Sequence, residues 1–200
     1  GVAAIIIVMS VMNGFRIDLT NRIIGLNSHL NIYSFDNEIT NKQADELILN
    51  IDNSFFYQHY KSIETNGLII KSNNSKGVMI KGYDEYDKNH YLFNSINMGA
   101  LIQNPKSEIL IGDSLANEMN LSVGDKVKIA IPKTDKTILG NIPRFKTLEV
   151  VGVFDLGLYE YDSNLIFLSS ELVRKLLLYD EDIYNKIEFF TSSPNEIELF

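Results

Sequence analysis

The residues of this sequence that could support catalysis or bind a metal are three histidines, several acidic clusters and a Gly-Asp-Ser segment. The histidines, His29, His59 and His90, are spread along the first half of the chain and do not form a shared ligand motif. A metal site built from residues far apart in sequence is the alternative. The wide spacing favours histidines that are hydrogen-bonded or solvated, and we predict no metal site.

Acidic clusters occur at 84–87, 160–162 and 180–182. Two carboxylates held close together can act as an acid and a base, or can bind Ca²⁺. The spacing and the glycine of an EF-hand loop are missing here. The formal net charge of the chain is -8, and acidic runs in such a sequence usually lie on a solvated face. We therefore predict surface clusters rather than a catalytic pair.

Common catalytic and nucleotide-binding motifs are also missing. The segment 112–114 lacks the second glycine of a nucleophile elbow, no Walker A sequence occurs, and the chain contains no cysteine. Lysines and arginines are scattered rather than clustered, which argues against nucleic-acid binding. The sequence predicts a protein that is not an enzyme, with no catalytic residues, no bound cofactor and no nucleic-acid partner.

An apolar run opens the chain and predicts a helix that leaves a membrane. Residues 1–12 carry no charge, and Ser10 is their polar residue. About 20 apolar residues are needed to span a bilayer, so the run alone is too short, and a buried core helix is the alternative. The run continues without a helix breaker into one apolar stripe, formed by Val11, Phe15, Leu19, Ile23 and Leu26. We interpret 1–27 as the end of a first transmembrane helix and its extension, with the chain beginning inside that helix.

Residues 28–82 predict a helix packed on a sheet. Thr40 followed by Gln43 forms a capping box at the start of a helix. The apolar face predicted for this helix consists of Ala44, Leu47, Ile48 and Ile51. The predicted strands are 29–35, 63–70 and 78–81, the last two joined by a long polar turn. The order strand, helix, strand, strand indicates a small α+β unit.

Residues 83–168 predict a second unit that is rich in strands, and 169–200 predict a return to the first unit. The predicted strands are 109–111, 127–131, 147–154, 165–168 and 187–190. Asp113 or Ser114 is expected to cap a short helix, and Ser169 or Ser170 a second one. A further turn or helix is expected to begin at Pro194. The fold class predicted for the whole chain is α+β, in two subdomains.

The segment 132–146 is predicted to be a protruding loop. Pro132 and Pro143 bracket it, and because each proline removes a ladder donor, the segment does not suit the centre of a sheet. Ile138, Leu139 and Ile142 are apolar residues near the tip of this loop. Such residues often mark a contact surface; a loop folded back to bury them is the alternative.

Several motifs resemble the LolC/LolE-type permeases of the bacterial lipoprotein-releasing ABC transporter. The first is Val8-Met9-Ser10-Val11-Met12-Asn13-Gly14-Phe15, followed by Leu19, Arg22, Ile23, Gly25, Leu26 and His29. The second runs through 139–144, 150–154 and 157–162, reading LGNIPR, VVGVF and GLYEYD. The segment LSVGDKV at 121–127 also resembles the wider MacB/FtsX-like periplasmic domain. The resemblance covers nearly the whole chain.

This resemblance implies a permease subunit in the bacterial inner membrane. This chain would be its MacB-like periplasmic domain, located between the first two transmembrane helices. It implies a helix-on-sheet base called Porter, here 28–82 and 169–200, and an inserted β-rich part called Sabre, here 83–168. Acylated lipoproteins would be extracted from the membrane and passed to a periplasmic LolA-type carrier. A second permease subunit and a separate cytoplasmic ATPase subunit would be the other partners.

The resemblance also implies two sets of functional residues. The loop 132–146 corresponds to the carrier-recruiting Hook, although Lys136 and Ile138 stand where the Hook, as aligned, has an aromatic residue and a further proline. The carrier-binding residues would be Thr137, Ile138, Leu139, Gly140, Asn141, Ile142, Pro143 and Arg144. The residues facing lipid or a partner helix would be Val8, Met9, Val11, Met12 and Phe15.

Other functions are compatible with the same sequence. A MacB-like efflux permease or an FtsX-like mechanotransmission subunit would use the same domain with a different periplasmic partner. A secreted hydrolase would need a deep pocket with two carboxylates about 5–9 Å apart. The sequence does not separate a LolC-type subunit from a LolE-type subunit or from a hybrid of both.

Overall fold

The computed structural model describes residues 1–26, 28–36, 38–51, 55–86, 90–132, 144–192 and 194, with the backbone alone for 18–26. In chain order the elements are α1 Val2–Leu26, β1 Leu30–Tyr33, β2 Ile39–Thr40, α2 Asn41–Asn50, β3 Phe56–Lys71, β4 Asn74–Tyr83, a 3₁₀ turn Tyr91–Ser95, β5 Ile96–Gly99, β6 Glu108–Gly112, α3 Asp113–Met119, β7 Lys126–Ile131, β8 Arg144–Phe154, α4 Tyr159–Asn164, β9 Leu165–Ser169, α5 Ser170–Leu177, β10 Ile183–Tyr184 and β11 Lys186–Thr191. The predicted α+β class is confirmed.

Six strands close into a ring in the order β3, β4, β9, β6, β8 and β7, because β7 pairs with both β8 and β3. The β4–β9 and β6–β8 pairs are parallel, and the others are antiparallel. The largest core cluster belongs to this ring, and its fully buried members include Ile63, Ile69, Ile80, Ile111, Ile129, Val150 and Ile166. Closure leaves these six strands without a free edge.

Helix α5 packs against the ring at a glycine. A Cβ added to Gly82 would lie 2.9 Å from Val173 Cγ2 and 3.1 Å from the Cα of Ser170. The absence of a side chain at Gly82 therefore lets the first turn of α5 approach β4 closely. Ser169 caps this helix by accepting a hydrogen bond from the backbone N–H of Leu172 at 3.2 Å, which confirms the predicted serine cap.

A helix-on-sheet unit extends from β3, where β11 pairs with β3 and β1 pairs with β11. Its core contains Ile39, Ala44, Ile48, Phe56, Ile187 and Phe189. The predicted capping box of α2 is confirmed, with Thr40 and Gln43 each bonded to the backbone of the other. Leu47, predicted to be buried, is 37% exposed. It lies at the margin of the helix–sheet contact, where it lines a shallow groove with Ile32 and Tyr33.

Two further local predictions were wrong. The long polar turn is in fact a two-residue turn, because the polar residues around Ser72 continue the ladder out to the pair Lys71 and Asn74. Asp113 and Ser114 do not cap α3, because Gly112 occupies the N-cap position. A Cβ at Gly112 would lie 2.1 Å from the carbonyl oxygen of Asp162, so the close backbone contact excludes a capping side chain there.

Helix α1 runs unbroken from Val2 to Leu26, which confirms the predicted continuous helix. Residues 1–17 are exposed on every side of it, so the alternative of a buried core helix is wrong. Across the part of the chain that the structure describes, no helix has both the length and the apolar character needed to cross a membrane.

Candidate functional site

The apolar residues predicted to face lipid or a partner helix are all exposed on α1. Val8, Met9, Val11, Met12 and Phe15 have exposed fractions of 60, 67, 65, 61 and 61%. Exposing apolar surface to water costs about 25 cal/mol per Å². A continuous apolar surface of this kind marks a contact with a membrane or another protein. The structure therefore presents these side chains for a contact outside the described chain.

The segment that follows α1 is fixed to the last strand. The backbone N–H of His29 donates to the carbonyl of Phe189 at 2.8 Å. The backbone N–H of Thr191 donates in return to Nδ1 of His29 at 2.9 Å. The segments 28–30 and 189–191 therefore meet at one corner of the domain.

Ser28 connects this corner to a buried group of charges. Ser28 is buried; its hydroxyl donates to Oδ1 of Asn31 at 2.5 Å and lies 3.4 Å from Oε1 of Glu188. Glu188 is fully buried, and Nζ of Lys81 and Nζ of Lys186 lie 3.1 and 2.9 Å from its carboxylate. Nζ of Lys186 also lies 3.0 Å from the Glu64 carboxylate. We call Glu64, Lys81, Lys186 and Glu188 the buried ion network.

In the buried ion network, each charged group offsets the cost of burying its partners. Burial alone would raise the pKa of Glu188, but Lys81, Lys186 and the hydrogen bond from the Tyr83 hydroxyl at 2.6 Å outweigh it and lower that pKa to about 2. Burial alone would lower the pKa of Lys186, but the carboxylates of Glu188 and Glu64 outweigh it and raise that pKa. Glu188 and Lys186 are therefore charged at neutral pH, and neither is suited to give or take a proton there.

The sequence did not single out this network. Its signal was present, since Lys186 and Glu188 flank Ile187 in a strand and must therefore share the face opposite to it. Two opposite charges at that spacing, inside a strand that is otherwise apolar, indicate a buried pair. Lys81 and Glu64 face each other as cross-strand partners on β4 and β3, a pairing that only the tertiary structure shows.

The predicted carrier-binding loop begins where β7 and β8 leave the ring. Ile131 pairs with Arg144 at this point, and Arg144 and Phe145 are exposed. Arg144 lines a groove of about 910 Å³ beside α5. The other residues predicted for the carrier contact, Thr137, Ile138, Leu139, Gly140, Asn141, Ile142 and Pro143, lie outside the described residues.

The charges in this groove are largely paired with each other. Nη2 of Arg174 lies 3.1 Å from the carboxylate of Asp84, which also accepts a hydrogen bond from the Tyr184 hydroxyl. Glu171 forms an ion pair with Lys175. The pKa of Glu171 is lowered by its hydrogen bond to Lys175. Because these carboxylates are bound in ion pairs, they are poorly placed to act as an acid and a base.

The three histidines are hydrogen-bonded or exposed, as predicted. His29 accepts the hydrogen bond from Thr191, and Nδ1 of His90 accepts one from the backbone N–H of Leu92 at 3.3 Å. His59 lies at the surface, where partial desolvation of its ring and the nearby Lys61 lower its pKa. Within the described ranges, no group of three His, Asp or Glu side chains is arranged to hold a metal ion.

The prediction of a solvated acidic face was wrong for Asp162. This side chain is buried, and it accepts hydrogen bonds from the backbone N–H groups of Leu156 at 2.8 Å and Leu158 at 3.2 Å. Burial raises the pKa of the Asp162 carboxyl. Its role is to hold the turn between β8 and α4, because two backbone donors there need an acceptor. Residues 180–182 are exposed, as predicted.

A family model and a curated relative both match this chain over most of its length. A family model described as the MacB-like periplasmic core domain matches residues 1–194. The lipoprotein-releasing system transmembrane protein LolC of Neisseria meningitidis serogroup B is 27% identical over 188 residues, covering 92% of this chain and 45% of that protein. The chain therefore spans less than half of the length of this curated relative.

Solved structures show the same fold. The extracellular domain of the noncanonic ABC-type transporter YknZ from Gram-positive bacteria matches with a TM-score of 0.54 at 14% identity, covering 84% of this chain and 86% of that one. The periplasmic region of MacB from Actinobacillus actinomycetemcomitans matches with a TM-score of 0.53 at 14% identity, covering 90% and 83%. The predicted MacB-like periplasmic fold is confirmed.

Proposed function

Because the chain belongs to the family of MacB-like periplasmic core domains, we propose that it is part of a permease subunit of a lipoprotein-releasing ABC transporter. The subunit would release acylated lipoproteins from the bacterial inner membrane, and this domain would lie in the periplasm. The similarity to LolC over 92% of the chain supports this choice of substrate. A chain built for this task needs a membrane-facing helix and a periplasmic docking surface.

The observation that carries the proposal is the exposed apolar surface of α1. Its side chains from Val2 to Ile17 are left uncovered by the described part of the domain, and Ser28, two residues beyond the helix, is buried at the anchored corner. A membrane together with a second permease subunit would cover them. Residues 1–27 would then be the end of the first transmembrane helix and its periplasmic extension.

Extracting the acyl chains of a lipoprotein from the membrane requires an external energy source. Transferring one buried methylene group of an acyl chain from the membrane into water costs about 0.8 kcal/mol. Lipoprotein extraction therefore requires work, which a cytoplasmic ATPase subunit would supply. Val8, Met9, Val11, Met12 and Phe15 would contact the acyl chains or the partner helix. The periplasmic domain would carry motion and a docking surface and would take no part in covalent chemistry.

The loop between β7 and β8 is the proposed contact for a LolA-type carrier. Residues 137–144 form the contact in this proposal, and Arg144 and Phe145 at its base are exposed. Residues 28–82 and 169–200 would form the Porter-like base, and 83–168 the Sabre-like part that bears the loop. The ring strands connect this loop to the corner at which α1 enters the domain.

The proposal is tested with the full-length protein, its partner subunit and its ATPase reconstituted in proteoliposomes that hold a triacylated lipoprotein. ATP should release the lipoprotein into the soluble fraction only when a purified LolA-type carrier is added. Vesicles prepared with a Phe15→Asp variant should lose release while retaining assembly. ATP-dependent movement of a hydrophobic drug with no lipoprotein release would instead assign the protein to efflux and refute the proposal.

A further inference from the structure

The buried ion network lies between the end of α1 and the closed ring. Glu188 contacts Ser28 just after α1, and it contacts Lys81 and Tyr83 on β4, which is a ring strand. Lys186 joins the same carboxylate to Glu64 on β3. One buried carboxylate on β11 therefore touches both the segment that follows α1 and the ring strand β4.

Stability alone is a poor reason for such a network. Removing charges from water costs several kcal/mol for each ion, and apolar side chains of similar volume often stabilise a core equally well. Ions and hydrogen bonds differ from apolar contacts in being directional, because they fix which atoms face each other. Here two lysines and two glutamates meet where β11 packs beside the ring strands β3 and β4.

We propose that the buried ion network is a positioning device, in which Glu188 fixes Ser28, and with it the end of α1, relative to the ring. This inference rests on the proposed function, in which α1 carries motion from the membrane. Glu188, Lys81, Lys186 and Glu64 are positioning residues, because they act on α1 through Ser28.

The ring provides the continuation from this device to the β7–β8 loop. Glu64 lies on β3, and the same strand pairs with β7 at Leu68, Ile69 and Ile70. Strand β7 ends at Ile131, which pairs with Arg144 at the base of the loop. A displacement of Ser28 held rigidly against Glu188 would therefore pass through paired backbone to the loop. If the buried ion network were weakened, α1 would move independently of the β7–β8 loop.

The test measures the distance between α1 and the ring in the full-length complex in lipid nanodiscs. This chain contains no cysteine, so Arg16→Cys on α1 and Lys128→Cys on β7 place two spin labels once cysteines elsewhere in the complex are replaced. Pulsed electron resonance then gives the distribution of distances between them. The perturbed protein carries Glu64→Gln, Lys81→Met, Lys186→Met and Glu188→Leu together.

The neutralised protein should fold and retain a melting temperature close to that of the parent, while its distance distribution broadens about twofold because α1 samples several positions. The matched control is Lys76→Met with Glu118→Gln, an ion pair of the same composition between β4 and α3. This control should leave the distribution unchanged. A folded neutralised protein with the parent distribution would overturn the proposal.

Ser28→Ala decides the question if the fourfold variant does not fold. It removes the hydroxyl that joins the helix end to Glu188 and leaves every charge paired, so broadening is expected, and an unchanged distribution overturns the proposal. The distances require neither lipoprotein nor carrier. A parent complex that shows network-dependent distances but releases no lipoprotein would refute the proposed function and support the positioning role.

Discussion

Replacing Glu188 by glutamine should reveal how strongly the buried charges depend on one another. The carboxylate lies 3.1 Å from Nζ of Lys81 and 2.9 Å from Nζ of Lys186, and its pKa of about 2 lies below the ordinary value of 4.5. Lowering a pKa by one corresponds to about 1.4 kcal/mol, so the charged form of Glu188 contributes about 3 kcal/mol to the free energy of unfolding.

The sign of the pH dependence follows from the direction in which folding moves this pKa. Because folding lowers the pKa of Glu188, its contribution is fully present above about pH 4.5 and is lost as the pH falls towards 2. The Glu188→Gln variant should be about 3–5 kcal/mol less stable at neutral pH, since it leaves two buried ammonium groups with Glu64 alone. The stability difference between parent and variant should shrink by about 2 kcal/mol between pH 6 and pH 3.

Urea unfolding of the chain in a mild non-ionic detergent, followed by near-ultraviolet circular dichroism, measures this difference. The tyrosines around the network, Tyr60, Tyr83 and Tyr91, provide the signal through their ring contacts. Glu160→Gln, at an exposed glutamate on α4, is the control and should change stability by less than about 0.5 kcal/mol at each pH. A difference for Glu188→Gln that stays constant from pH 6 to pH 3 would refute the ionic account of the network.

Three further tests, one with a control substitution, address separate parts of the structure. Thr40→Ala removes the capping box of α2 and should lower the free energy of unfolding by about 1 kcal/mol in urea titrations. Gly82→Ala places a Cβ 2.9 Å from Val173 Cγ2 and should cost about 1–3 kcal/mol, whereas Gly77→Ala meets no atom within 4 Å and should be tolerated. Phe15→Asp on the exposed face of α1 should weaken flotation with liposomes while leaving the urea midpoint of the domain unchanged; equal flotation of parent and variant would contradict the membrane assignment of α1.

Local capping signals in the sequence predicted where α2 and α5 begin. Thr40 with Gln43, and Ser169 before α5, cap helices because a side-chain oxygen satisfies a nearby orphan N–H, which is a short-range effect. The length of β3 could not be read in this way. Its polar residues near Lys71 continue the ladder because β4 and β7 supply partners from distant parts of the chain.

Burial of polar groups was the other point at which the sequence fell short. Asp162 was predicted on a solvated face because it follows Glu160 and Tyr161, yet the turn after β8 directs its carboxylate towards two backbone donors. The full set of contacts of Glu188 could not be read from the sequence, because its partners Lys81 and Tyr83 lie more than a hundred residues away. The unbroken course of α1 was predicted correctly, because no proline interrupts the apolar run and its continuation.

Photocrosslinking from the β7–β8 loop tests the central claim most directly. A photoreactive residue at Leu139 in the full-length subunit, assembled with its partners in nanodiscs, is illuminated in the presence of a purified LolA-type carrier. The account predicts a covalent adduct with the carrier at Leu139 and none from the same probe at the exposed control position Glu160. Illumination that captures no carrier at 138–142, or that captures it equally at Glu160, would contradict a role in lipoprotein release.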